Sequence, residues 1–88
     1  MGNVSVIYKI LPGNIEADVE KIAENAKAIT AKEGLTVKGY QIIDIAYGLR
    51  GILVLVVMPD SGGISEKLEG LYREIPEVQT VEISEVSL

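Results

Sequence analysis

Along residues 3–11 apolar side chains alternate. Val4, Val6, Tyr8 and Ile10 fall on one side and Ser5, Ile7, Lys9 and Leu11 on the other, so Asn3 to Leu11 reads as a strand. Both sides carry apolar residues, which suits an interior strand better than an edge one. Pro12-Gly13-Asn14 breaks the run, and Asn14 is placed to cap a helix. Ile15, Val19, Ile22, Ala23, Ala26 and Ile29 then recur at helical spacing. Glu16, Asp18 and Glu20 occupy the first turns, where the helix dipole favours negative charge, and Gly34 after Lys32 and Glu33 supplies the stop.

From Leu35 to Tyr47 the pattern returns to strand-forming residues (Val37, Tyr40, Ile42, Ile43, Ile45), with Gly39 marking a bulge or bend. Tyr47-Gly48-Leu49-Arg50-Gly51 is a glycine-flanked connection into Ile52–Met58, an uninterrupted apolar run that belongs in the middle of a sheet. Pro59-Asp60-Ser61-Gly62-Gly63 ends it with turn chemistry. Leu68, Leu71, Tyr72 and Ile75 predict a second helix, with Ser65 as its candidate cap and Pro76 just beyond it. Val78, Val81, Ile83 and Val86, interleaved with Gln79, Glu82, Ser84 and Glu85, make a last strand whose charges suit a sheet edge.

The order β-α-β-β-α-β, with right-handed crossovers, predicts an α+β two-layer sandwich of the ferredoxin-like kind. Two helices lie on one face of a four-stranded antiparallel sheet, and the first and third strands are central. Those are the strands with apolar residues on both sides. The opposite face then lacks helices, and Ile7, Leu11 and half of the Ile52–Met58 run belong there. Such a patch is covered by side chains, loops or a second copy, or else it marks a partner site.

Composition narrows the chemistry. The 88 residues, read as one domain over residues 1–88, contain no Cys and no His. No thiolate nucleophile or thiolate metal site, no histidine zinc ligand and no Ser-His triad can be assembled from them. Thirteen acidic against eight basic residues give a net charge of -5. The bases are scattered, which argues against phosphate binding and a direct nucleic-acid partner. Residues 1–44 carry six acids and five bases, residues 45–88 seven acids and three bases. The longest apolar run, Ile52 to Met58, is far short of the ~20 residues that span a bilayer, and no secretory signal is visible; a soluble, cytoplasmic chain is expected. Asp60-Ser61-Gly62-Gly63 lacks both phosphate-loop patterns and reads as a turn. The pairs Asp44/Asp60 and Glu66/Glu69 have no spacing that singles them out for acid–base work or Mg²⁺. An acylphosphatase-like site would want an Arg in the loop after the first strand, and an RNA-recognition sheet would want aromatics on the central strands. Neither is present.

The sharpest local feature is Tyr47-Gly48-Leu49-Arg50. An aromatic, a leucine and the sole basic residue between Lys38 and Lys67 sit together at a turn between two strands. Side chains of these types on a stiff turn serve as interface anchors; the plain alternative is a hairpin with Tyr47 folded back on the core.

The run Ile45-Ala46-Tyr47-Gly48-Leu49-Arg50, followed by the apolar strand, Pro59-Asp60, Gly62-Gly63 and a short helix, resembles the elongation factor 1-beta family, its archaeal form in particular. The likeness extends from Val4 to Leu88. It implies a guanine-nucleotide exchange factor for the GTPase elongation factor 1-alpha, working by non-covalent binding with no cofactor, no metal and no catalytic residue of its own. It also implies partner-binding residues: Tyr47, Gly48, Leu49 and Arg50 at the inserting loop, and Ser87 and Leu88 at the C-terminal end. Eukaryotic members place a penultimate Lys near the partner's Mg²⁺; here Ser87 stands in that place and cannot supply the charge. The chain is expected to act as a monomer or weak oligomer. The competing expectation is a small ligand-sensing or oligomerising βαββαβ module, using the Pro12-Gly13-Asn14 loop and the open sheet face.

Overall fold

The computed structural model describes residues 2–59 and 63–87. The turn expected at Asp60-Ser61-Gly62 and the terminal Leu88 lie outside these residues. The elements are β1 (Asn3–Pro12), α1 (Val19–Lys32), β2 (Thr36–Ala46), β3 (Leu49–Pro59), α2 (Ile64–Arg73) and β4 (Val78–Ser87). The sheet order is β2-β3-β1-β4 with every pairing antiparallel, so the ferredoxin-like arrangement stands and β1 and β3 are central.

The alternation in β1 sorts its residues as expected. Val4, Val6, Tyr8 and Ile10 are buried with Ile52, Val54, Val56 and Met58 of β3, under Val19, Ile22, Ala23 and Ala26 of α1 and Leu68 and Tyr72 of α2. Two tyrosines organise this core. The Tyr8 and Tyr72 rings meet edge to face with centroids 5.1 Å apart. The Tyr8 hydroxyl donates to the Ser65 carbonyl at 3.0 Å. Thr30 donates to the Ala26 carbonyl at 2.7 Å, so the Tyr72 hydroxyl is the donor in its own bond to Thr30 Oγ1. Burial pushes both phenols above their ordinary pKa; for Tyr8 the neighbouring Tyr72 and Glu69 add to this, and for Tyr72 the bond to Thr30 partly offsets it. No buried side-chain polar atom among the described residues lacks a partner.

Three boundaries differ from the sequence expectation. α1 begins at Val19, capped by Asp18, whose carboxylate accepts from the Lys21 amide at 3.2 Å; Asn14 is not the cap. Asn14 instead closes a local turn by accepting the Glu16 amide at 2.9 Å, and Ile15, expected in the core, is 65% exposed. The second difference is at α2, which is capped by Gly63 in a left-handed conformation; Ser65 lies inside the helix. The third is at β3, which starts at Leu49, so the connection from β2 is only Tyr47-Gly48. Gly51, expected to end a loop, is buried within β3 because Leu11 lies over it: a Cβ there would come within 2.8 Å of Leu11 Cδ2.

Other features follow the reading. Gly34 has φ 78°, and the Gly34→Ala31 and Leu35→Thr30 amide–carbonyl bonds close α1 in a Schellman motif. The β2–β3 register shifts between Val37 and Gly39, the expected bulge. β4 is an edge strand.

Candidate partner-docking site

β2 and β3 form a long hairpin whose last pairs are Asp44↔Arg50 and Ala46↔Leu49. Only Tyr47 and Gly48 remain to turn the chain, with φ 52° and 83°. Two successive positive φ values are the type I′ arrangement, which matches the right-handed twist of a hairpin. Glycine adopts it freely; tyrosine is disfavoured there by about 1–2 kcal/mol. The Tyr47 side chain recovers none of this through packing, because the residue is 101% exposed. The alternative of Tyr47 folded back on the core is therefore corrected: it stands out at the hairpin tip. An exposed ring on a strained, two-residue turn is the profile of an anchor held ready for a partner.

Leu49 and Arg50 are not loop residues but the first two of β3. Leu49 is half-buried at the base of the tip, and Arg50 is exposed. Among the described residues the ion pairs are Lys67–Glu33 at 2.9 Å and Arg73–Glu69 at 3.2 Å, neither of which engages Arg50. The tip thus joins an aromatic ring to an accessible guanidinium.

Ser87 lies elsewhere. It pairs with Ser5, which pairs with Val57 near the far end of β3. Val57 is seven residues along β3 from Arg50, about 24 Å at ~3.4 Å per residue. The structure therefore brings Tyr47, Gly48, Leu49 and Arg50 together and sets Ser87 at the opposite end of the sheet. There the Ser87 hydroxyl donates to Glu85 Oε2 at 3.3 Å, beside the 56% exposed Val86.

The Pro12-Gly13-Asn14 loop of the competing reading is occupied with its own chain. The Gly13 amide donates to the Glu77 carbonyl at 3.0 Å, the Asp18 amide to Glu77 Oε2 at 3.3 Å, and Pro12 is buried. Glu77 itself has φ 75°. Sequence reasoning missed it, since its role depends on a contact with α1 across 59 positions. No group of three or more Asp, Glu, His or Cys placed to hold a metal occurs among the described residues, and no helix there is long and apolar enough to cross a membrane.

Comparison with solved structures gives the C-terminal domain of the MgtC protein from Mycobacterium tuberculosis, with a TM-score of 0.68 at 13% identity, covering 92% of this chain and 84% of that one. At that identity the likeness speaks for the fold alone. Comparison of sequences is more specific. Elongation factor 1-beta of Archaeoglobus fulgidus is 32% identical over 88 residues, 100% of this chain and 99% of that protein. The protein of the same name from Methanocaldococcus jannaschii is 34% identical with the same coverage, and that of Ignicoccus hospitalis is 36% identical over 87 residues, 98% of this chain and 92% of that one. The family model described as the EF-1 guanine nucleotide exchange domain matches residues 5–88. The chain belongs to the EF-1 guanine nucleotide exchange domain family and is a nucleotide exchange factor of translation elongation.

Proposed function

We propose that this chain, acting as a single exchange domain over residues 1–88, docks on elongation factor 1-alpha through Tyr47 and Gly48. Leu49 and Arg50 extend that contact, and the C-terminal pair makes a second one: Ser87, at the other end of the sheet, together with Leu88. The observation that carries the reading is Tyr47, strained at φ 52° and wholly exposed. A side chain that costs stability and contacts nothing in its own fold is explained by what it contacts in a complex.

The work done is differential binding. A factor that holds the nucleotide-free GTPase about a hundredfold more tightly than the GDP form weakens GDP by the same factor, about 2.7 kcal/mol, by thermodynamic reciprocity. No bond is made or broken, so the chain acts as a non-covalent exchange factor rather than an enzyme, and it needs no cofactor. With Ser87 where eukaryotic members have Lys, nucleotide release rests on the hairpin contact more than on a C-terminal charge. In this reading the protein works in the cytoplasm as a monomer or weak oligomer, without direct nucleic-acid contact.

The test is calorimetric titration of nucleotide-free elongation factor 1-alpha with the wild-type chain and with Tyr47→Ala. The substitution weakens binding by about 2 kcal/mol, roughly thirtyfold in Kd. Equal affinity for the two proteins overturns the assignment of the hairpin.

A further inference from the structure

The register places Ile7 and Leu11 of β1, Leu53, Leu55 and Val57 of β3 and Ile43 of β2 on the sheet face away from the helices. All six are only half-buried, and among the described residues no element covers them. This apolar band follows β3 from the base of the hairpin to the end where Ser87 pairs. The helical face is more charged: α1 and α2 present Glu20, Lys21, Glu24, Lys27, Glu66 and Lys67 to solvent, and the apolar groove that Ala28, Ile29 and Leu71 line between them is flanked by Lys32, Glu33 and Glu74.

At the middle of the band the bulged β2 contributes Gly39 opposite Leu55. A Cβ at Gly39 would meet nothing within 4 Å, and its φ lies outside the left-handed region, so neither strain nor crowding demands glycine there. What the missing side chain leaves is a shallow depression of ≈ 260 Å³ between Ile7, Leu53 and Leu55. Along β4 the same face carries Glu82 opposite Lys9 and Glu85 opposite Ile7.

We propose that this open face, with the Gly39 depression as its socket, is the seat of the GTPase between the hairpin tip and the C-terminal end. The proposal rests on the docking reading above. It calls for a partner surface with a projecting apolar side chain for the socket and basic residues flanking it over β4, opposite Glu82 and Glu85. Two features favour a hetero-partner over a second copy. The net charge of -5 makes self-association unfavourable. The band also joins the two places that the docking reading assigns to the GTPase and offers an apolar route between them.

The experiment compares wild type, Gly39→Val, Leu55→Gln and Tyr47→Ala for affinity to nucleotide-free elongation factor 1-alpha, with melting temperature and sedimentation measured alongside. Gly39→Val fills the socket with a residue that suits a strand. It leaves melting unchanged or raised and weakens binding about tenfold, as does Leu55→Gln. In the unmutated protein, methyl signals of Leu53 and Leu55 shift or broaden when the GTPase is added. Wild-type affinity for both face variants and unmoved methyls, with Tyr47→Ala weakened, overturn the open-face proposal and leave the hairpin reading standing. Wild-type affinity for Tyr47→Ala as well overturns both. A wild-type dimer that Gly39→Val splits identifies a second copy as the occupant and also overturns the proposal.

Discussion

Tyr47→Asn separates stability from function at the hairpin tip. The 101% exposed side chain has no burial to lose, so the substitution acts on the turn alone. Tyrosine at φ 52° is disfavoured by about 1–2 kcal/mol, whereas asparagine tolerates the left-handed region and Asn-Gly is the preferred pair for a type I′ turn. Relief of about half of that strain stabilises the chain by about 0.5–1 kcal/mol. For a domain of this size that raises the melting temperature by about 2–8 °C. Thermal and urea unfolding by circular dichroism measure it, and the m-value stays constant because no buried surface changes. The same variant loses the anchor and binds elongation factor 1-alpha about thirtyfold more weakly. A lower melting temperature would mean that the ring packs on the fold, and wild-type affinity would mean that it is no anchor; either rules out a strained, outward-facing Tyr47 held for a partner.

Thr30→Val removes the acceptor for the buried Tyr72 hydroxyl and costs about 1–3 kcal/mol in urea unfolding, whereas Tyr72→Phe, which leaves Thr30 bonded to Ala26, costs about 1. Because burial raises the folded-state pKa of Tyr8 and Tyr72 above the unfolded value near 10, their contribution is complete below about pH 10 and is lost as pH rises beyond it. Unfolding free energy measured from pH 8 to 12 therefore falls above pH 10, by up to about 1.4 kcal/mol per unit for each phenol, and the Tyr8→Phe/Tyr72→Phe double variant shows a shallower fall. Ile15→Ser changes stability by less than about 0.5 kcal/mol, since Ile15 is exposed, while Ile22→Ala in the core costs about 2–5. Comparable losses at the two sites would restore Ile15 to the core. Gly51→Ala brings a methyl group to 3.1 Å from the Ile10 carbonyl oxygen, which cannot give way, and to 2.8 Å from Leu11 Cδ2, which can rotate aside, and costs about 1–3 kcal/mol in urea unfolding.

The architecture was legible wherever the side chains carry a period. Apolar residues on both sides of Asn3–Leu11 and Ile52–Met58 marked the two central strands, and the mixed sequence of β4 marked an edge. Gly34 and Gly39 were legible because a helix stop and a bulge use glycine for local reasons. The start of α1 was not, because Asn14 and Asp18 are both good caps and Ile15 falls at the right spacing before Val19. What decides between them is the Asp18 carboxylate on Lys21 together with the tie from Glu77, a residue far along the chain. Gly51 misled for a similar reason: glycine suggested a loop, while the requirement is the close approach of the Ile10 carbonyl and the Leu11 side chain to a strand. At the candidate site, residue type pointed to Tyr47 and Arg50, but the left-handed backbone that holds the ring outward has no signature beyond the adjacent Gly48. That the tip and Ser87 lie at opposite ends follows from topology, since β4 runs antiparallel to β1 and finishes where β1 begins.

What an exchange factor must do is accelerate nucleotide release. Elongation factor 1-alpha is loaded with fluorescent GDP, mixed with excess unlabelled GTP, and followed by stopped-flow with this chain at substoichiometric concentration. The release rate rises in proportion to the added chain, with many GTPase molecules turned over by each copy, and drops when Tyr47→Ala replaces the wild type. A release rate identical with and without the chain contradicts an exchange role.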